Sequence, residues 1–164
     1  MKTLKILGLL LALVVGTLTV NAQTKTYSRY GVSITYPSFL NIEGENYAGR
    51  ELNLLLSSKD QMNLLVLAVS KDNELIQSIN MYGLETVFET FKSQMVGDGV
   101  EFGTIKKENN NITMPFTFLF DDILLHGEAS MTVKNGAIIF TMITARPGDK
   151  YNAIKQACKT IKVS

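Results

Sequence analysis

The sequence predicts an α+β fold built on a central, mostly antiparallel β-sheet, with an amphipathic helix at its carboxyl end. Over residues 112–145, apolar side chains alternate with polar ones, and Asn135-Gly136 interrupts the alternation. A period of two is typical of strands that bury one face, and Asn-Gly is the strongest two-residue hairpin signal. Over residues 149–162, apolar side chains recur at helical spacing, which predicts the terminal helix.

The chain begins with a pattern typical of a secretory signal peptide. Lysines precede an apolar run over residues 6–20, and Val20-Asn21-Ala22 supplies a cleavage site. The run has fifteen residues, fewer than the roughly 20 that a membrane-spanning helix needs. We therefore expect residues 1–22 to be a cleaved secretory signal peptide and residues 23–164 to form a single domain.

Cleavage would give an exported product in the periplasm or outside the cell. No cysteine stands near Ala22 to hold a lipid, so we expect no stable membrane anchor after cleavage. An uncleaved anchor is the alternative.

The first strands precede residue 70. Val32, Ile34 and Tyr36 alternate with polar residues and predict a strand that Pro37 ends. Nearly continuous apolar runs over 52–56 and 64–69, separated by a polar stretch, predict a hairpin. Apolar side chains on both sides of these strands favour a sheet that is covered on both faces.

Two helices are predicted next. The first begins near Asp72 or Asn73, and Gly83 divides it from the second. The second places Leu84, Val87, Phe88, Phe91 and Met95 at helical spacing, and Gly97 and Gly99 close it. A weaker strand over 100–107 leads into the region of strict alternation.

Two turns define a three-stranded meander over residues 112–145. Two-residue turns at 121–122 and 135–136 place Phe116 opposite Gly127 and Met131 opposite Phe140. Both turns put the same residues of the middle strand on the apolar face, and Gly127 makes room for the ring of Phe116. Pro115 cannot donate a hydrogen bond to a neighbouring strand, so its strand is an edge there or contains a bulge.

The terminal helix begins at Asp149 as its N-cap, after Pro147-Gly148. Its apolar stripe includes Cys158, the only cysteine, so an intramolecular disulfide is excluded. A small apolar core residue is the favoured interpretation of Cys158. A reactive thiol or an intermolecular bridge is the alternative.

The run Tyr30-Gly31-Val32-Ser33-Ile34-Thr35-Tyr36-Pro37 resembles the opening motif of the PsbP/Mog1/DcrB-like superfamily. Residues 153–162 are similar to the closing helix of that group, and the order of elements agrees over most of residues 27–164. Phe39 stands where that group often has a tryptophan. The resemblance implies helices packed on both faces of the sheet. The resemblance implies little about function: the group contains accessory subunits, a small-GTPase partner and envelope proteins, and most of its members are not enzymes.

The charge balance argues against a nucleic-acid partner. Lys2 and Lys5 are two of the 16 basic residues, so residues 23–164 hold 14 basic and 15 acidic residues, a net charge of −1. Contacts with a phosphate backbone require a basic excess, which this sequence lacks.

Chemical signatures of catalysis are weak. His126 is the only histidine, and no G-x-S-x-G motif is present to supply a nucleophilic serine beside it. Asp121, Asp122, His126 and Glu128 are the tightest cluster of metal-binding residue types, but a turn explains the two aspartates. We expect no metal and no cofactor.

The remaining candidate is the second face of the meander, which mixes apolar and polar residues. A face partly covered by the terminal helix is the favoured interpretation, and a shallow groove for a ligand or partner is the sharper one. The candidate residues are Thr117, Leu119, Leu124, His126, Glu128, Ser130, Ile139, Thr141 and Ile143.

These observations predict a secreted, non-enzymatic binding or accessory protein of a bacterial envelope system, with a protein partner there. The first alternative is a carrier of a small apolar ligand. The second is a hydrolase that uses His126.

Overall fold

The computed structural model describes residues 23–95 and 99–164. The leader predicted over residues 1–22, and Gly97 as a helix terminator, lie outside this part of the chain. The strands are β1 (Thr24–Arg29), β2 (Val32–Pro37), β3 (Asn41–Ala48), β4 (Glu51–Ser57), β5 (Leu64–Ser70), β6 (Glu101–Phe102), β7 (Lys106–Glu108), β8 (Asn111–Phe120), β9 (Ile123–Lys134), β10 (Ala137–Ala145) and β11 (Lys162–Val163). The helices are α1 (Asn73–Tyr82), α2 (Leu84–Gln94) and α3 (Asp149–Lys159).

The described strands form two antiparallel sheets. The larger has eight strands in the order β3-β4-β5-β10-β9-β8-β6, and β7 also pairs with β8. The smaller has the order β1-β2-β11, so the last strand returns to pair with the second. This is the α+β fold with a mostly antiparallel sheet that the alternation predicts.

The meander of β8, β9 and β10 has the predicted register. Phe116 pairs with Gly127 across the first turn, and Met131 pairs with Phe140 across the second. All four turn residues have positive φ: Asp121 49°, Asp122 61°, Asn135 53° and Gly136 67°. These angles are those of type I′ turns, whose twist matches that of the flanking strands.

Gly127 and Pro115 occupy their positions for steric and hydrogen-bonding reasons. A Cβ atom on Gly127 would overlap the ring of Phe116, so the glycine accommodates that ring as predicted. The carbonyl oxygen of Pro115 accepts a hydrogen bond from Gly103 N at 2.8 Å. This bond lies on the side of β8 where the neighbouring strand is interrupted between β6 and β7. The missing N–H of Pro115 therefore faces an interruption in the neighbouring strand.

Two clusters of buried side chains form the core. The first joins β1, β2, β4, β5 and β10 to α3, through Ile34, Leu54, Leu67, Ile139 and Ile154 among others. The second joins the apolar face of the meander to α2, through Phe88, Ile112, Met114, Met131 and Ile138 among others. Ile138 and Ile139 are adjacent in β10, so the two clusters lie on opposite sides of that strand.

Several local predictions require correction. Asp149 is the first residue of α3, and its N-cap is Gly148, which has no side chain to cap the helix. The second helix ends at Gln94, and Met95, which the sequence predicts within its apolar stripe, is its C-cap. The apolar run of β4 is not covered on both sides, because Leu54 is buried while Leu55 is 38 % exposed.

Two strands have no counterpart in the sequence predictions. β3 has few strand-forming residues, and β11 has only two residues. The predicted 100–107 strand is interrupted into β6 and β7. The division at Gly83 is confirmed: this residue has φ 86° and separates α1 from α2.

Candidate functional site

A groove with a volume of about 600 Å³ lies between α3 and the second face of the meander. Its floor comes from β8, β9 and β10, and β7 forms part of its rim. We call it the α3 groove. Its defining residues are Lys106, Thr113, Glu128, Thr141, Lys155 and Lys159.

The floor of the α3 groove is hydroxyl-rich because of the strand register. Thr113 pairs with Ser130, and Ser130 pairs with Thr141, so alternation places all three side chains on one face. The hydroxyls of Ser130 and Thr141 share a hydrogen bond of 2.8 Å. Among the described residues, the side chains of Thr113 and Asn111 make no such bond. These two polar groups are therefore free to bind a ligand in the groove.

One ion pair fixes α3 against the floor. Lys155 Nζ donates to Glu128 Oε2 at 2.6 Å, and this hydrogen bond raises the pKa of the Lys155 ammonium. At the carboxyl end of α3, Thr160 Oγ1 accepts a hydrogen bond from Thr35 N at 2.9 Å. The carboxyl half of the helix is thus bonded to the meander through Lys155 and to β2 through Thr160, which makes this part of the groove wall a defined surface.

Lysines dominate the charge of the α3 groove. Lys106 lies on β7, Lys134 ends β9, and Lys155 and Lys159 lie one turn apart on α3. Only two acidic residues, Glu108 and Glu128, line the same space. Glu128 is paired with Lys155, so the groove has an excess of positive charge.

Cys158 lies in the wall of the groove and packs against the first core cluster. Burial raises the pKa of its thiol to about 11, although a hydrogen bond from Thr141 opposes the rise. A thiol with so high a pKa is almost entirely protonated near neutrality, and the thiolate is the nucleophilic form. The position therefore supports the interpretation of Cys158 as a packing residue.

The nine candidate residues of the second face are divided by the structure. Leu119 and Leu124 are 56 % and 51 % exposed, next to the first turn of the meander. Thr117 and His126 line a separate cavity of about 300 Å³. The five that line the α3 groove are Glu128, Ser130, Ile139, Thr141 and Ile143.

Sequence reasoning missed the lysines of the groove. Lys155 and Lys159 lie four positions apart on the polar side of a helix. A helix face that is simply exposed to solvent has the same pattern. Only the position of α3 over the meander brings them to the same space as Lys106. Thr113 belongs to the alternation of the second face, so that signal was available.

His126 has no catalytic partner in the part of the chain that the structure describes. Its neighbours across the sheet are Thr117 and Ala145. No hydrogen bond joins it to a serine or a carboxylate among the described residues. A hydrolytic role for His126 has no support in this geometry.

The described residues contain neither a candidate metal site nor a candidate membrane-spanning helix. Within 23–95 and 99–164, no three side chains of His, Cys, Asp or Glu form a group that could hold a metal ion. None of the described helices has the length and apolarity needed to cross a membrane.

Comparison with known proteins gives likeness at the level of fold. No protein-family model and no curated protein matches the sequence. A crystal structure from Bacteroides thetaiotaomicron VPI-5482 at 1.50 Å resolution matches with a TM-score of 0.51 and 14 % identity. The match covers 88 % of this chain and 49 % of that one, so this chain spans about half its length. Such a likeness shows a shared fold alone.

A second similar structure is the solution structure of cyanobacterial PsbP (CyanoP) from Synechocystis sp. PCC 6803. The match covers 91 % of this chain and 96 % of that one, with 15 % identity and a TM-score of 0.44. The score is too low to support an argument about function, and membership of the superfamily stays a prediction.

Proposed function

We propose that this chain is an exported, non-enzymatic binding or accessory protein of a bacterial envelope system, and that it binds through the α3 groove. The single observation that supports this proposal most is the groove itself. A concave space of about 600 Å³ has the size of ordinary ligand sites, which span about 300–1,000 Å³. Its wall is held in place by the bonds of Lys155 and Thr160.

Export is the second part of the proposal and rests on the leader pattern over residues 1–22. An exported protein in the periplasm or outside the cell meets its protein partner there by diffusion. The sequence motif of residues 30–37 adds the expectation of an accessory role and of helices on both faces of the sheet. The positions of α2 and α3 in different core clusters support that arrangement.

The apolar-carrier alternative has less support than the binding or accessory role. The apolar side chains that line the groove, Ile139, Ile143 and Ile161, are at most 6 % exposed, so they offer little surface to a ligand. Lysine and hydroxyl groups occupy the accessible part instead. An apolar ligand would have to leave these polar groups without water, which costs free energy.

A capture experiment from native envelope tests the proposal. Thr113→Tyr fills the groove floor with a larger side chain, and Thr104→Tyr is the matched control at an exposed position outside the groove. We expect the wild type and Thr104→Tyr to recover the same partner or small ligand by mass spectrometry, and Thr113→Tyr to lose it. Equal recovery by both variants, or turnover on a hydrolase panel without any bound component, contradicts the proposal.

A further inference from the structure

We propose that the α3 groove binds a small, multiply charged anion through phosphate or carboxylate groups. This inference rests on the proposed function, and it names the class of ligand for the same site. It starts from three lysines, Lys106, Lys134 and Lys159, which line the groove from three different elements. Among the described residues, none of these three lies within 4.0 Å of a carboxylate oxygen.

The arrangement differs from an ordinary solvated face in its geometry. Lys106 lines the groove from β7 and Lys159 lines it from α3, so lysines of different elements border the same concave space. Ammonium groups that converge on one volume repel each other, and a ligand of opposite charge removes that repulsion. An isolated surface lysine gains less free energy from a bound anion, because it has no repulsion from neighbouring lysines to be relieved.

The floor supplies the directional part of the site. The hydroxyl of Thr113 and the amide of Asn111 both face the groove and can donate hydrogen bonds to oxygen atoms. Proteins commonly bind phosphate and carboxylate groups through hydrogen-bond donors that lie beside positively charged side chains. Lys155 is neutralised by Glu128 at 2.6 Å and therefore serves to position α3.

The size of the space argues for a small ligand. The lysines line a groove of about 600 Å³, which is within the volume range of small-molecule sites. A small molecule with two or three anionic groups can contact both walls and the floor at once.

Isothermal titration calorimetry with inorganic pyrophosphate and citrate tests the inference on the wild-type protein and two double variants. Lys106→Gln/Lys159→Gln removes two of the groove lysines. The control, Lys107→Gln/Lys162→Gln, also removes two positive charges. Lys107 follows Lys106 in β7 and Lys162 lies in β11, and neither residue lines the groove. All four side chains are exposed, so both variants are expected to fold, and equal melting temperatures check this.

We expect at least one probe to bind the wild type, and the groove variant to lose about tenfold or more in affinity. The control variant should change by less than about twofold, because its lysines act only through screened, long-range charge. Binding of pyrophosphate alone identifies phosphate as the recognised group, and binding of citrate alone identifies carboxylate.

Two results overturn the inference. One is the absence of binding by either probe, and the other is an equal loss of affinity in both variants, which shows a non-specific charge effect. Neither result removes the proposed function, which is tested separately by partner or ligand recovery with Thr113→Tyr and Thr104→Tyr. The two failures are therefore distinguishable.

Discussion

Cys158 illustrates how environment decides the role of a single residue. Its thiol lies between the core and the α3 groove, where loss of solvent outweighs the hydrogen bond from Thr141. The pKa therefore rises from the model-compound value of 9.0 to about 11. The sequence alone favoured a packing role, from the position of Cys158 in a helical stripe, and its place against the core supports that interpretation.

The raised pKa predicts slow alkylation of Cys158. Since the thiolate is the reactive form, a pKa of about 11 lowers its fraction at pH 8 by about 100-fold relative to an unperturbed thiol. We expect iodoacetamide to modify the native protein at least about 100-fold more slowly than the urea-unfolded protein, as followed by mass spectrometry. The native rate should rise with pH until about pH 11. Native and unfolded rates that agree at pH 8 would contradict this account.

Residue type alone does not predict which lysines line the groove. Lys106 and Lys107 are adjacent and equally charged, yet only Lys106 lines the groove. The strand register decides between them, because Lys106 pairs with Thr113 on the groove face while Lys107 pairs with the buried Ile112. Residue type gave no indication of this difference.

At the scale of elements, the meander is the part that the sequence predicts best. Strict alternation identifies each face, and the turn at Asn135-Gly136 and the turn at Asp121-Asp122 give registers that agree with each other. These signals are local, so they can be interpreted without knowledge of the rest of the chain. β3 and β11 lack such signals, because their pairing with β4 and β2 depends on tertiary context.

The contact between Gly127 and Phe116 gives a stability prediction. A Cβ atom at residue 127 would overlap the Phe116 ring, so Gly127→Ala should lower the free energy of unfolding by about 1–3 kcal/mol. Urea denaturation followed by circular dichroism measures this change.

A smaller residue at 116 should relieve the clash. Phe116→Leu combined with Gly127→Ala is therefore expected to cost less than the sum of the single changes. Gly44→Ala is the matched strand control, because its Cβ would meet only Leu55 at an ordinary 3.5 Å. Equal effects of Gly127→Ala and Gly44→Ala would contradict the steric explanation.

At the scale of the whole molecule, the groove is a product of long-range packing. One wall is α3 and the floor is the meander, and the two meet because Ile154 and Ala157 pack into the first core cluster with Ile139. The sequence identified the mixed face and the amphipathic helix separately. It did not predict how they lie together, since that depends on the smaller sheet and on the bond between Thr160 and Thr35.

The proposed export gives the whole molecule a testable processing step. Cleavage after Ala22 should produce a mature protein that begins at Gln23, because the apolar run over residues 6–20 is shorter than a membrane span. Amino-terminal sequencing of the exported protein measures this directly. A mature chain that begins at Met1 would show that the leader is retained.

The central claim is that the α3 groove is where this protein binds. Photo-lysine in place of Lys159 retains the charge and places a photoreactive group in the groove, and photo-lysine in place of Lys162 is the control three residues further on. On irradiation in the native envelope, we predict a defined adduct of the protein labelled at position 159 and none of the protein labelled at position 162. An adduct of equal yield at both positions, or no adduct at position 159, would contradict the claim.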